Sequence, residues 1–253
     1  MADNPDVPED KKAFVPLENN PEVMNHMTHK LGLSPTLSFT DVYSLDDPDL
    51  LAFVPRPSTA LLLVFPISQS YEAARQAEDV NIQEYTSSGP SEPVLWFKQT
   101  IRNACGLIGL LHAVCNGESR ASHIQAGSDL DKIIKEAENL KPEDRAEMLY
   151  QSKALESAHA DAASRGDTTA PPADGHIDLH FVCFVKDAKD GRLWEMDGRR
   201  KGPLDRGLLG PDEDVLSQKA LEVGPKRFLE NEKSAGGGGD LRFSLVSLGP
   251  SFD

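Results

Sequence analysis

Hydrophobic and polar positions along the chain fall into short stretches of two periods. Val23, Met24 and Met27 make a helical stripe, with Asn20 placed to cap it, Pro21 at its first position and Gly32 to end it. Phe39–Tyr43 alternates as a strand, and Asp47–Phe53 reads as a short helix stopped by Pro55 and Pro57. Ala60–Phe65 is apolar throughout, as a central strand covered on both faces would be. Glu72–Glu84 is polar and only weakly helical, and Thr86–Pro90 is a loop. Cys105–Val114 is apolar on nearly all sides, so it predicts a buried helix with Gly106 and Gly109 along it. Asp129–Leu155 is amphipathic, with a second helix starting at Pro142.

From Ser157 to Gly175 the pattern stops. The stretch is small, polar, Pro-containing and aperiodic, and a loop this long inside a compact domain usually has a function or is disordered. Ile177–Val185 and Arg192–Met196 predict a hairpin around the turn Asp187–Gly191. Val215–Glu232 reads as a helix, Gly236–Gly239 as a flexible connector and Leu241–Leu248 as a last strand. The order of elements predicts one α/β domain over residues 13–253, preceded by a flexible polar extension over residues 1–12.

The length, 253 residues, agrees: it suffices for one well-buried domain and is short for two. Lys and Arg number 26 against 41 Asp and Glu, a net charge of −15. Such a surface repels nucleic-acid phosphates and anionic membranes and favours a partner that presents basic groups. The longest apolar run, Ala60–Phe65, is far below the roughly 20 residues of a membrane span. The start, MADNPDVPEDKK, has no apolar core of a secretory signal. No nucleic acid and no membrane are expected as partners, and the setting is expected to be cytoplasmic or nuclear. Cys105, Cys115 and Cys183 cannot all pair and form no C-x-x-C, which suits a reducing compartment.

An unpaired cysteine there is either core filler or a reactive thiol. Cys105 opens its helix, where free backbone N–H groups and the helix dipole favour a thiolate. Gln99, six residues earlier, can donate from its side-chain amide to an oxyanion while the Cys105 N–H donates from the other side. His180 sits on one strand of the hairpin and Asp197 closes the other, so a carboxylate can orient the imidazole. A buried helical cysteine is more often inert, and a strand histidine more often structural. Here nucleophile, base, orienting acid and oxyanion donor are all present. A metal site from Cys115, Cys183, His112 and His180 has no usual ligand spacing. Cys183 lies three residues after His180 and faces the other side of the strand. His112 reads as a hydrogen-bonded core residue, and Trp96 and Trp194 as core aromatics. No metal and no other cofactor are expected.

The segments at 16–25, 39–57, 61–67, 98–113, 178–185 and 193–203, above all KQTIRNACGLIGLLHA and WEMDGRRKGP, resemble the ubiquitin carboxyl-terminal hydrolase family, its small cytosolic isozymes in particular. The resemblance covers nearly the whole chain. It implies a papain-like cysteine protease architecture: a central, antiparallel-rich sheet flanked by helices, with a knotted backbone despite the general rarity of knots. It places the nucleophile on Cys105, the base on His180, the orienting acid on Asp197 and the oxyanion glutamine on Gln99. It makes residues 157–175 a crossover loop over the active-site cleft that admits only small or unfolded leaving groups. Glu18, Glu22 and Asp41 would receive the arginines of the ubiquitin tail, with Leu17 and Leu179 in apolar contact. The implied protein is a monomer that removes small adducts or short peptides from the C-terminal glycine of ubiquitin, or of Nedd8, which shares the Gly-Gly tail. The alternative is a catalytically weak module that binds and stabilises ubiquitin; the intact Cys105, His180, Asp197 and Gln99 argue against it. Arg102 departs from the family, where a small residue is usual, and Gly236–Gly239 is an addition.

Overall fold

The computed structural model describes residues 8, 10–175, 177–234 and 242–252. The chain runs through α1 (Pro21–Leu31), β1 (Leu37–Asp41), α2 (Pro48–Leu51), β2 (Ala60–Pro66), α3 (Gln69–Asp79), α4 (Cys105–Val114) and α5 (Gly117–Ser122). It continues through α6 (Asp129–Ala137), α7 (Pro142–Gln151), α8 (Lys153–Ala163), β3 (Leu179–Lys186), β4 (Arg192–Met196) and β5 (Leu204–Leu208). It ends with α9 (Gln218–Val223), α10 (Pro225–Ser234) and β6 (Ser244–Pro250). The strands form one six-stranded sheet, ordered β1-β6-β2-β3-β4-β5. Every neighbouring pair in it is antiparallel. The last strand is thus inserted between the first two.

The alternation of side chains along β2 and β3 builds two cores. Leu62 and Val64 of β2, with Phe181, Cys183 and Val185 of β3, face α1, α4, α6 and α8. Leu61, Leu63 and Phe65, with Val182 and Phe184, face α3, α9 and α10. All of β2 is buried, as its unbroken apolar run predicts. A fully buried leucine is worth about 1.5–3 kcal/mol, so this strand anchors both layers. Helix α4 lies close on the sheet because its inner face is glycine. A Cβ on Gly109 would meet Leu62 Cδ2 at 3.1 Å, and one on Gly106 would meet Leu17 Cβ at 3.1 Å.

Several local readings hold. Asn20 accepts the Glu22 N–H as the cap of α1, and Gly32 ends it at φ 116°. Asp47 caps α2, and α4 and β4 have the expected bounds. Others need correction. The weakly helical stretch is a full helix, α3, entered earlier through the Ser68 cap. The supposed single helix at 215–232 is two, divided at Gly224-Pro225, where Pro225 has no N–H to continue it. The aperiodic loop begins after Ala163 and not at Ser157, because α8 runs on through residues 157–163, burying Ala158, His159 and Ala162. Strand β5 and helix α5 were not foreseen. Gly236–Gly239 and most of residues 1–12 lie outside the described residues, but Lys12 is anchored, its Nζ donating to the Tyr150 carbonyl and to Glu156.

Candidate active site

Three segments converge where α4 begins. The N-terminal arm pairs with the chain just before Cys105: the Phe14 N–H donates to the Arg102 carbonyl at 2.9 Å and the Arg102 N–H to the Lys12 carbonyl at 2.9 Å. His159 of α8 bonds the Val15 carbonyl at 2.7 Å and packs on the Phe14 ring, which fixes the arm's path. Asn103 then turns at φ 56°, a left-handed conformation that asparagine tolerates better than most residues. Its side-chain amide donates to the Ala173 and Gly175 carbonyls at 2.9 and 3.0 Å, so it holds the loop that leads to β3. Ala104, at the cap position, has no side chain to satisfy the first turn of α4. The N–H groups around Cys105 are left to whatever the thiol or a substrate oxygen presents.

The other half comes from the hairpin. Strand β4 ends at Met196, which pairs with Cys183, so His180 lies beyond the ladder. The turn after β4 folds over it instead. Asp197 therefore reaches His180 through that turn and not as a cross-strand neighbour. The imidazole Nε2 meets Asp197 Oδ1 at 2.7 Å, and both side chains are almost wholly buried, at 2% and 1% exposure. The Cys105 thiol is close enough to the same imidazole to favour its charged form. Burial pushes the imidazole pKa down. The Asp197 charge and hydrogen bond, with the contribution of Cys105, outweigh burial and raise it to about 9. Burial pushes the Asp197 carboxyl up, but the His180 charge and hydrogen bond, then the Arg199 N–H and charge, hold it well below the usual carboxylate range.

Asp197 has further partners that the sequence did not announce. Its Oδ1 accepts the Arg199 N–H at 2.8 Å, and its Oδ2 accepts the Tyr71 hydroxyl at 3.1 Å. Its carbonyl accepts the Trp96 indole N–H at 3.1 Å, so Trp96 is more than a core aromatic. Tyr71 stays a phenol because burial, then the Asp197 charge, raises its pKa. Phe65 packs edge-on against both the Tyr71 and His180 rings. The one available signal for Tyr71 was the helix cap at Ser68, three residues ahead of it.

Gln99 is buried beside this turn, its backbone N–H donating to the Gly198 carbonyl at 2.9 Å. A Cβ on Gly198 would meet Ile108 Cγ2 at 2.8 Å and Gln99 Cβ at 3.0 Å, so only glycine lets the Asp197 turn sit this close. The Gln99 amide gives one N–H to the Ile101 carbonyl at 3.2 Å and keeps a second to give elsewhere.

A cleft of about 250 Å³ opens at Cys105, lined by Leu17, Glu18, Asn103, Thr168 and Leu179 among others. Three of the five residues expected to contact substrate are thus together. Leu17 is buried against Gly106, and Leu179 is half-buried. Glu18 is engaged from within: its Oε2 accepts the Thr168 N–H and hydroxyl at 3.1 and 3.0 Å. Glu22 stands exposed on the first turn of α1, and Asp41 is half-exposed at the end of β1; neither lines the cleft. Arg102 donates to the Asp174 carbonyl at 3.5 Å, on the loop. Cys115 and Cys183 are free and fully buried, and burial raises both thiols, that of Cys115 to about 12. His112 accepts the Phe97 N–H at 2.9 Å, and burial lowers it to about 4. Among the described residues no group of His, Cys, Asp and Glu could hold a metal ion.

Comparison with known proteins adds an independent line. Ubiquitin carboxyl-terminal hydrolase 3 of Arabidopsis thaliana is 39% identical over 238 residues, 94% of each chain. Ubiquitin carboxyl-terminal hydrolase YUH1 of Saccharomyces cerevisiae is 34% identical over 250 residues, 96% of this chain and 99% of its own. A solved structure of the Trichinella spiralis UCH37 catalytic domain, bound to ubiquitin vinyl methyl ester, superposes with a TM-score of 0.70. It covers 95% of this chain and 97% of its own at 20% identity, which establishes a shared fold. The sequence profile of ubiquitin carboxyl-terminal hydrolase, family 1, matches residues 14–228. With a buried His180–Asp197 pair, a partly exposed Cys105 and relatives alike over nearly their whole length, the chain belongs to ubiquitin carboxyl-terminal hydrolase family 1.

Proposed function

We propose that this deubiquitinating cysteine hydrolase works through Cys105, His180, Asp197 and Gln99 on the bond after the C-terminal glycine of ubiquitin. The Cys105 sulfur attacks the glycine carbonyl, and the oxyanion that forms is held by the Cys105 N–H and the Gln99 amide. His180 passes its proton to the departing amine or alkoxide, and a thioester to Cys105 remains. His180 then takes a proton from water, the hydroxide attacks the thioester, and ubiquitin leaves with a free carboxylate. Asp197 keeps the imidazole oriented throughout.

The observation that carries this reading is the His180 imidazole, buried against the Asp197 carboxylate at 2.7 Å and influenced by the Cys105 thiol, which lines a largely apolar cleft. The narrow cleft suits a Gly-Gly tail because no side chains need space. Leu17 and Leu179 contact it, and Glu18, Glu22 and Asp41 receive the basic groups that precede it. Glu18 does so once Thr168 of the loop releases it. Nedd8 ends in the same way and is a second substrate. Residues 13–253 act as one catalytic domain and as a monomer, in the cytoplasm or nucleus. Among the described residues no helix is long and apolar enough to cross a membrane.

Cys105→Ala tests the reading. Hydrolysis of a ubiquitin C-terminal fluorogenic amide should disappear, while calorimetric titration still detects ubiquitin binding. Substantial residual turnover would remove Cys105 from the mechanism.

A further inference from the structure

The two oxygens of Asp197 are held from different parts of the fold. Oδ1 serves both the His180 imidazole at 2.7 Å and the Arg199 N–H at 2.8 Å. A carboxylate gripped at one oxygen can still swing its plane about that oxygen, and a swing takes the imidazole with it. Oδ2 is met from the other side of the sheet, where the Tyr71 hydroxyl of α3 donates to it at 3.1 Å. Tyr71 belongs to the core shared with α9 and α10, whereas Cys105 packs with the core on the α4 face. Orienting donor and nucleophile thus reach the His180–Asp197 pair from opposite layers.

The aim of that hydroxyl is fixed at several points. Ser68 Oγ accepts the Tyr71 N–H at 3.0 Å. The Ser68 and Ser70 hydroxyls both donate to the buried Glu232 carboxylate of α10, so the first turn of α3 is clasped to its neighbour. The Tyr71 ring meets the Phe65 ring edge-on at 4.6 Å between centroids and stacks on Phe228 at 6.0 Å. A phenylalanine would fill the same space without the cost of taking a hydroxyl out of water, and here the bond to a charged oxygen offsets that cost. Tyr71 is 6% exposed and does not line the Cys105 cleft, so its hydroxyl acts on the reaction through Asp197 and not through the substrate.

We propose that Tyr71 is a positioning residue for the hydrolysis: its hydroxyl fixes the second oxygen of Asp197, so that the first stays in line with His180 through both proton transfers. The inference rests on the orienting role given to Asp197 above. Tyr71→Phe tests it, because one oxygen is removed and the ring packing is kept. On the fluorogenic amide, kcat is counted per active site by labelling Cys105 with ubiquitin vinyl methyl ester, so a partly unfolded preparation does not mimic the effect. It should fall about 3- to 30-fold, the range of a hydrogen bond to a charged group expressed in part in the transition state. KM should stay within about 2-fold, since no ground-state contact with ubiquitin is lost. A double-mutant cycle separates positioning from general loosening. In an Asp197→Asn background the carboxylate is already gone, and adding Tyr71→Phe should cost less than about 2-fold more. An unchanged kcat in Tyr71→Phe, a rise in KM alone, or a loss that multiplies in full with that of Asp197→Asn would each overturn the proposal. A near-native kcat in Asp197→Asn alone would instead bring down the orienting role of Asp197, and the proposal with it.

Discussion

At the scale of the residue, the site is a charge pair sealed from water, and its consequence is a pH dependence. The His180 pKa is raised from 6.5 to about 9, chiefly against burial by the Asp197 charge. Stability from this shift is fully present below about pH 6.5 and is lost as pH rises through about 9. The Asp197 shift is downward, so its contribution is present above the usual carboxylate range and lost as pH falls through the lowered value. The two shifts belong to one ion pair, which stabilises the fold once. The alkaline limb of kcat/KM should therefore lie near pH 9, where His180 ceases to be a proton donor for the leaving group. Asp197→Asn should move that limb toward pH 6.5 and lower kcat by about 10³–10⁴. An alkaline limb unchanged in Asp197→Asn would detach it from His180.

Elements carry the next level of support, through charges paired across them. Helix α3 offers Glu72 to Arg199 and Asp79 to Arg200, so the turn bearing Asp197 is braced from the opposite layer. Glu195 of β4, nearly unexposed, is held by Arg206 of β5 at 2.8 Å. On the other face Arg145 of α7 is completely buried. It bonds Glu92, the Ala137 carbonyl at 2.7 Å and the Trp96 carbonyl at 3.4 Å. It thus joins α6 and α7 to the segment that leads to Gln99. Arg145→Met strands the Glu92 carboxylate in the interior, a loss of about 3–5 kcal/mol. Calorimetry should find Tm lower by roughly 6–20 °C, with kcat per folded molecule little changed. Arg145→Met with Glu92→Leu should recover much of that loss, because no buried charge then lacks a partner. A double variant as unstable as the single one would mean that the carbonyl bonds, and not the ion pair, carry the effect.

At the scale of the whole molecule the loop from Ser164 to Asp178 joins parts of the chain far apart in sequence. Thr168 docks on Glu18, Asp167 on Asn20, and Ala173 and Gly175 on Asn103, so the loop is pinned to both the arm and the cysteine segment. Inserting about ten Gly/Ser residues near Ala170 should leave the fold intact, since closure entropy grows slowly with length. Cleavage of diubiquitin should then accelerate, while the small fluorogenic amide stays nearly unchanged. If the native chain already cuts diubiquitin as fast as the amide, the loop is no filter. The amino-acid sequence by itself determined what local chemistry decides. That includes the capped start and glycine end of α1, the apolar run of β2, the bounds of α4 and the β3–β4 hairpin, each set by neighbours within about one turn or one pleat. It also singled out Cys105, His180, Asp197 and Gln99 as candidates, through their residue types and order. Only the tertiary structure decided what depends on distant partners. Leu204-Asp-Arg-Gly-Leu208 has two charges and a glycine and resembles a turn, yet it is a strand because Glu195 waits for Arg206. Tyr71 reaches Asp197 across 126 residues of chain, and Asp197 reaches His180 only because β4 ends early and its turn folds back. Periodicity and capping act over a few residues, whereas these contacts exist only once both faces of the sheet are packed, so no local pattern could announce them.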